Sequence, residues 1–495
     1  MQTPANERGK WLALVAALLG WLFDGFEMGL FPLVGRPALR DLLRQSGQSF
    51  DDASVGFWFS IATAAFLIGA AAGGVVFGWL GDRIGRVRAM SLSILTYALC
   101  SGLGGFAAAP WHMVVIRFIA ALGMGGEWSL GVALVMEVWV GRSRALLAGL
   151  IGAAANVGYM LVAILSLGLG TVRANLEGLG LSKDWVDWRL LTVCGALPAL
   201  LTFFIRLMVP ESEKWEKEKA RGATSSWAGR DLLAVLGGVG ICAGLLAVWR
   251  SVDNYPVRLA ATLVALVLVA GCFLVPILGY LRRAAEPEPI RREIVRRMLL
   301  GALISGIPLL ATWGSVQWAS VWANQLGSKA VEIDPSRIDE VRHWKEYTQL
   351  TGAFGAVVGC LGGALLAGWI GRRIAYCFLC VTSFVAVVAF YQLNTTFDLT
   401  FVVTAFLAGA TSAAFYGWIP LYLPELFPTR VRATAQGFAY NFGRILAAVG
   451  VLQVPALMGE PPNYGTACSR LAVVYIVGLG AIWLVPETMG KALPE

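Results

Sequence analysis

The sequence predicts an all-α polytopic membrane protein: two six-helix bundles in one chain, with a two-helix hairpin inserted between them, for fourteen spans. Three observations carry this reading. The 495 residues are 57% hydrophobic and only 14% charged, far outside the about 45–50% apolar usage of soluble domains. Apolar runs of about 20 residues, the length that crosses a bilayer core, recur along the whole chain. A charged motif also returns at a constant offset of 288 residues, the mark of a duplicated half.

The first block has apolar runs near 11–34, 57–80, 89–108, 111–136, 146–171 and 189–209. Met1 to Lys10 is short and polar, and the first run is too long for a signal h-region and has no small-residue cleavage site after it. The first helix is therefore expected to be retained. A charged segment, Glu211 to Arg230, precedes two runs at 232–250 and 259–281 joined by the polar turn Ser251 to Pro256. A hairpin returns the chain to the side it left, so it preserves the topology of both blocks. The second block follows the basic segment Arg282 to Arg297, with runs near 299–323, 349–370, 375–392, 399–421, 433–457 and 470–486. The expected domains are 1–210, 211–298 and 299–495. With loops assigned alternately to two sides, about 24 of the 39 Lys/Arg fall on the side of the N-terminus and about 13 on the other, which places both termini in the cytoplasm.

The repeat is carried by Glu137, Arg142, Arg144, Ala145 and Gly149, which recur as Glu425, Arg430, Arg432, Ala433 and Gly437. The same offset maps Trp11 onto Leu299, the starts of the two blocks. A weaker echo links Gly81-Asp82-Arg83-Ile84-Gly85-Arg86 to Ala367 through Arg373, with Gly368 standing where the acid should be.

The first run carries Asp24 and Glu27 in otherwise apolar surroundings. At i, i+3 they share a helix face, and like charges at low dielectric push one towards the neutral form, which holds a proton near neutral pH. Acids inside spans point to function by default; the alternative is permanent pairing with basic partners. On the fourth span, Arg117 lies about six residues, or roughly 9 Å, from the outer end. Glu27 lies at similar depth, so a Glu27–Arg117 contact is allowed, either as a structural pair or in substrate or proton coupling. Arg444 sits near the middle of the eleventh span, and the repeat maps it onto Asn156 in the fifth. A guanidinium at that depth suits a carboxylate better than a neutral sugar, unless it pairs with an acid such as Asp24. Trp313, Gln317, Trp318, Trp322, Tyr416, Trp418, Tyr440 and Asn441 are candidate pocket walls, although Trp and Tyr also serve as interface anchors. Gln317, Tyr416 and Asn441 join Arg117, Arg444 and Asn156 as candidate substrate ligands. His112 and His343 fall in or beside outer loops, so proton carriage falls on Asp24, Glu27 and Glu127. In the inner loops, Asp82 and Glu137 can pair with Arg86, Arg142 or Arg144, and Glu425, Arg430 and Arg432 repeat the set as an inner gate. The plainer reading is that the arginines only set topology.

The charge balance of +8 reads as membrane orientation and not as nucleic-acid binding. The eight cysteines lie mostly in apolar runs, and Cys377-x-x-Cys380 inside a span behaves as packing. No metal cluster, nucleophile triad or nucleotide-binding glycine loop is visible, so neither an enzyme nor an ATP-driven pump is expected, and no cofactor.

The loop at 81–86, the span from Arg117 to Glu137 and the repeated E-x4-R-x-R loop resemble the major facilitator superfamily over nearly the whole chain. More narrowly, Asp24-Gly-Phe-Glu27, Gly125-Gly-Glu127-Trp128, Pro210 to Trp215 and the extra hairpin resemble the sialate:proton symporter family, which includes bacterial sialic acid permeases and lactate permeases. The chain departs from that family in having Glu27 where Asp is usual and in lacking the acid at Gly368. The resemblance implies alternating access, with spans 1, 4, 7 and 10 lining the cavity. It also implies proton-coupled uptake, through the plasma (inner) membrane, of a small organic anion such as sialic acid or a monocarboxylate. The expected partners are protons, the substrate and the bilayer, with a monomeric carrier. A proton-coupled sugar porter and a drug/proton antiporter are the alternatives; the second is weakened because Leu146 to Thr171 has no proline and no G-x-x-x-G-P pattern.

Overall fold

The computed structural model describes residues 4–47, 51–139, 143–178, 187–196, 209, 211–458 and 463–494. Among the described residues, thirteen helical segments are long and apolar enough to cross a membrane. The first half supplies α1 (Pro4–Gln45), α2 (Asp52–Ile84), α3 (Arg86–Leu103), α4 (Pro110–Val138), α5 (Ser143–Gly178) and α6 (Asp187–Cys194). α6 opens the expected sixth span, most of which lies outside the described residues, as does Arg142. A short helix, α7 (Glu213–Ala220), leads to the hairpin α8 (Leu232–Ser251) and α9 (Tyr255–Arg283). The second half runs through α10 (Glu288–Gly314), α11 (Ala319–Ile333), α12 (Ile338–Val341), α13 (Trp344–Ile370), α14 (Arg372–Leu393), α15 (Leu399–Tyr422), α16 (Arg432–Leu457), α17 (Tyr464–Ala472) and α18 (Val474–Ala481). The end of the bundle that carries the two termini is termed the inner end.

The duplication is visible in the packing. In the first half α1 packs on α5 and α2 on α4; in the second, α10 packs on α16 and α13 on α15. The halves meet through two matching seams, α2 with α16 and α5 with α13. Helices in lipid gain from close backbone approach, so small residues mark their contacts. A methyl group on Gly69 or Gly73 would land 2.2 or 1.8 Å from the carbonyl oxygens of Phe118 or Leu122 on α4. On Gly355 or Gly359 it would land 2.2 or 1.8 Å from those of Phe406 or Ala410 on α15. Any side chain at these four positions would force the helices apart.

Two local features aim side chains at the interior. The seventh span breaks after α10, where Ser315 and a single turn, Val316–Trp318, separate it from α11. The Ser315 carbonyl accepts the Tyr391 hydroxyl at 2.7 Å, and the break turns Gln317 inward. On α1, Pro32 and Pro37 lie inside the helix, and each deprives the carbonyl four residues earlier of its helical donor. The hairpin α8–α9 lies against α2 and α16. Its base is closed by an Asp231–Arg283 ion pair and by Trp227 stacked on Tyr280 at 4.2 Å.

Candidate transport site and gates

A cavity with about 160 Å³ of room for water-sized spheres lies between the halves. Its polar wall combines Asp24 of α1, Asn156 and Tyr159 of α5, Gln317, Tyr416 of α15 and Arg444 of α16; Trp21, Trp128, Trp313 and Tyr440 supply aromatic surface. The lining thus comes from spans 1, 4, 7 and 10 and also from 5, 8, 9 and 11.

At the wall, Asp24 has Glu127 and Arg444 as its nearest charged neighbours. All three are buried. The slot for Glu127 exists because α1 has glycine one turn before Asp24: a β-carbon on Gly20 would lie 1.6 Å from Glu127 Oε1. Two neighbouring carboxyl groups, both buried, suit a shared proton. Arg444 lies over the Tyr440 ring, 5.2 Å from its centroid, and Tyr440 stacks on Trp128 at 3.7 Å. This ladder holds the guanidinium in place from one face. Among the described residues, Arg444 Nε and Nη1 have no hydrogen-bond partner, so two donor nitrogens of a buried cation are left for a ligand. An unmet need of this kind in a cavity wall fits an anion.

Arg117 and Glu27 form a second buried set towards the outer end. Arg117 Nη1 lies 3.4 Å from Glu27 Oε1, and its guanidinium lies over Phe31 and Phe66 at 3.9 and 4.8 Å. The pair borders smaller pockets and not the central cavity. Asn441 is also not at the cavity wall: its amide donates to the Gly125 and Gly437 carbonyls at 3.2 and 3.0 Å and fastens α16 to α4. Asn156 does line the cavity, with its amide donating to Gly152 O at 2.9 Å. Trp418 donates to Arg372 O near the inner end. Trp322 packs among Phe390, Tyr391 and Phe401.

The inner end carries the charged loops as a buried network. Arg86 lies 2.7 Å from Asp82 and 3.5 Å from Glu137, and Arg432 lies 3.0 Å from Glu137 across the seam. Asp82 Oδ2 accepts from the Thr434 backbone N–H and hydroxyl at 2.9 and 2.6 Å, at the start of α16. In the second half Arg372 pairs with Glu425 at 2.7 Å, and Arg144 has Glu425 as a charged neighbour. Arg430 pairs instead with Glu286 after the hairpin, at 2.9 Å. The two sides of the gate are unequal. Gly368 replaces the acid, and Leu146 stands at the repeat position of Thr434, so the latch that Asp82 makes has no partner on the other seam.

Sequence reading missed a second repeat. Val209-Pro210-Glu211-Ser212 and Val485-Pro486-Glu487-Thr488 close the two halves. Glu211 accepts the first backbone N–H groups of α3, at Arg86 and Val87, and Glu487 accepts those of α14, at Arg372 and Arg373. Ser212 and Thr488 then donate to Glu137 and Glu425 at 2.6 and 2.5 Å. The signal was present in the Pro-Glu pairs. Tyr159 was also missed, although it lies three residues after Asn156 on the same helix face.

The chain matches the Major Facilitator Superfamily over residues 16–328 and the family described as Sugar (and other) transporter over residues 347–495. A putative metabolite transport protein of Haemophilus influenzae is 25% identical, covering all of both chains. A probable 4-methylmuconolactone transporter of Cupriavidus pinatubonensis is 28% identical over 99% of this chain and 93% of its own. A cis,cis-muconate transport protein of Acinetobacter baylyi is 24% identical over 90% and 86%. Among solved structures, the proton:xylose symporter XylE bound to 6-bromo-6-deoxy-D-glucose superposes with a TM-score of 0.68 at 15% identity, covering 99% of this chain and 98% of that one.

Proposed function

Because this chain belongs to the major facilitator superfamily, we propose that it is a secondary transporter that takes up a small organic anion together with protons by alternating access. It works as a monomer in the plasma (inner) membrane, with both termini in the cytoplasm. The observation that carries the anion is Arg444, buried in the cavity wall with Nε and Nη1 unpartnered among the described residues. The relatives named for 4-methylmuconolactone and cis,cis-muconate support an unsaturated carboxylic acid within the aromatic walls. Sialic acid and lactate, which the narrower family resemblance implies, are the other acids of the class.

Charge accounting supports the coupling. Asp24, Glu27 and Glu127 face Arg117 and Arg444, so this buried set is neutral when one carboxyl group carries a proton. Leaving net charge in a low-dielectric interior is costly. A bound monoanion adds one negative charge, and a second proton restores neutrality. The empty carrier returns with the first proton, so each turnover moves one proton with one monoanion and no net charge. These protons are carried among Asp24, Glu127 and Glu27, the Asp24–Glu127 pair lying beside Arg444 and Glu27 beside Arg117.

Uptake into proteoliposomes, with a panel of muconate, lactate, sialic acid, phosphate and xylose, tests this. One of the acids accumulates under an inward proton gradient, and for a monoanion such as lactate or sialic acid clamping the membrane potential leaves its rate unchanged. Asp24→Asn and Glu27→Gln lose gradient-driven accumulation but keep part of the substrate exchange. Accumulation of xylose but of no acid, or full accumulation by both variants, would overturn the reading.

A further inference from the structure

At the outer end of the cavity, two side chains of α13 grip main-chain oxygens of the opposite half. Gln349 Nε2 donates to Gly29 O of α1 at 3.2 Å and to Tyr159 O of α5 at 3.1 Å. One turn earlier, Lys345 Nζ lies 3.5 Å from Leu33 O of α1. The Leu33 carbonyl is available because Pro37, four residues on, has no N–H to give it. Gly29 makes room for the grip: a β-carbon there would lie 3.1 Å from Gln349 Nε2 and 2.8 Å from Val162 Cγ1. Tyr159 is held at its other end too, since its hydroxyl accepts from Gln317 Nε2 at 2.8 Å. Gln349, Tyr159 and Gln317 all line the cavity.

From this arrangement we propose that Gln349 and Lys345 are positioning residues of the outer gate: they close the outer end by binding α1 and α5 backbone carbonyls, with Tyr159 as the lid segment they hold over the substrate. The proposal rests on alternating access and not on the identity of the cargo. Three features distinguish this gate from ordinary packing. Its bonds join the two halves and not helices of one half. Its acceptors are carbonyls, one of them freed by a proline, so the bonds break without leaving a buried charge unpaired on the first half. It also shares three residues with the cavity wall, so a molecule in the cavity touches the gate directly. The inner gate is built differently, from buried ion pairs, and opens at a different cost. Outward opening therefore requires the release of a few neutral or singly charged hydrogen bonds.

The test uses the full-length protein in intact cells, with a reporter cysteine at Ser320→Cys and an impermeant maleimide outside. Gln349→Leu and Lys345→Met should each raise the labelling rate by roughly three- to tenfold. Their turnover for net uptake should fall while KM for external substrate stays level or drops. Lys345→Arg, which keeps a donor, should label as the parent does. Unchanged labelling in Gln349→Leu and Lys345→Met at normal abundance would overturn the proposal. A second measurement covers variants that fold poorly: a reducible bis-maleimide bridging Leu33→Cys and Lys345→Cys across the span that the lysine side chain now fills should stop uptake and release it on reduction. Uptake that continues with the cross-link formed would overturn the proposal as well.

Discussion

Replacing Arg444 with Lys separates a ligand-binding guanidinium from a structural one. The side chain is buried and held against Tyr440, and its Nε and Nη1 groups are the two donors without partners among the described residues. Nε and Nη1 lie on different edges of the guanidinium, each sharing its edge with Nη2, so a carboxylate that bridges either edge makes a forked pair of charge-assisted hydrogen bonds, which an ammonium on a flexible stem cannot reproduce. Charge is retained in Arg444→Lys, so the loss is that of the second bond and of the fork geometry, about 1.5–3 kcal/mol. This corresponds to roughly ten- to 150-fold weaker binding. Trp21, Trp128 and Trp313 line the same cavity, so quenching of intrinsic fluorescence in detergent reports the affinity directly, and abundance is read in parallel. Equal affinity of Arg444→Lys and the parent for the transported acid would refute the reasoning. So would recovery of abundance in the Arg444→Ala/Asp24→Asn double variant after loss in Arg444→Ala, since that pattern belongs to a structural ion pair.

Gly20→Ala puts a methyl group 1.6 Å from the present position of Glu127 Oε1, so it should drive Glu127 away from Asp24 and abolish gradient-driven accumulation. Adding the shorter acid, Glu127→Asp, should recover part of it, and a Gly20→Ala single variant with parental accumulation would refute the role of the slot. Asp82→Asn removes the charge that faces Arg86 and leaves one acceptor oxygen where Asp82 serves both Arg86 and Thr434, so the inner gate should rest open more often. Faster labelling of a cysteine in the inner cavity checks this, and unchanged labelling would reduce the loop acids to topology markers. The two helix caps should differ in acid. Burial raises Glu211 above the ordinary glutamate value, and the N–H groups of Ser212, Val87 and Arg86 offset it only in part. For Glu487 burial acts in the same direction, but four backbone N–H groups outweigh it and set the group below that value. A raised acid favours folding below its unfolded pKa and loses that contribution as pH rises through the folded one. A lowered acid contributes above its unfolded pKa and loses this as pH falls through its folded one. On acidification the Glu211 carboxylate is thus neutralised first, and amide exchange at Arg86 and Val87 should speed up at a higher pH than at Arg372 and Arg373. The reverse order would refute the assignment.

Much of this molecule follows from the order of its residues. Apolar runs, a charge bias and one repeat offset specify a duplicated helical membrane protein, because a bilayer demands long apolar helices and duplication leaves a constant spacing. The Glu27–Arg117 contact was legible for the same reason: both residues count to similar depths along straight helices. What depth along a helix does not contain is which face meets which neighbour. Arg117 and Asn441 sit in spans that reach the cavity, yet one lies beside phenylalanines towards the outer end and the other across a helix seam. The break at Ser315 turned Gln317 inward, and a glycine at position 20 admitted Glu127 to Asp24. The outer grip of Lys345 and Gln349 involves main-chain oxygens more than 180 residues away in sequence, and a backbone acceptor has no residue type to betray it. The sequence by itself determined the helical membrane class, the duplication and the supply of buried charges. Only the tertiary structure decided which charges meet, because helix rotation and close approach at glycine are set by contacts between helices that no single helix encodes.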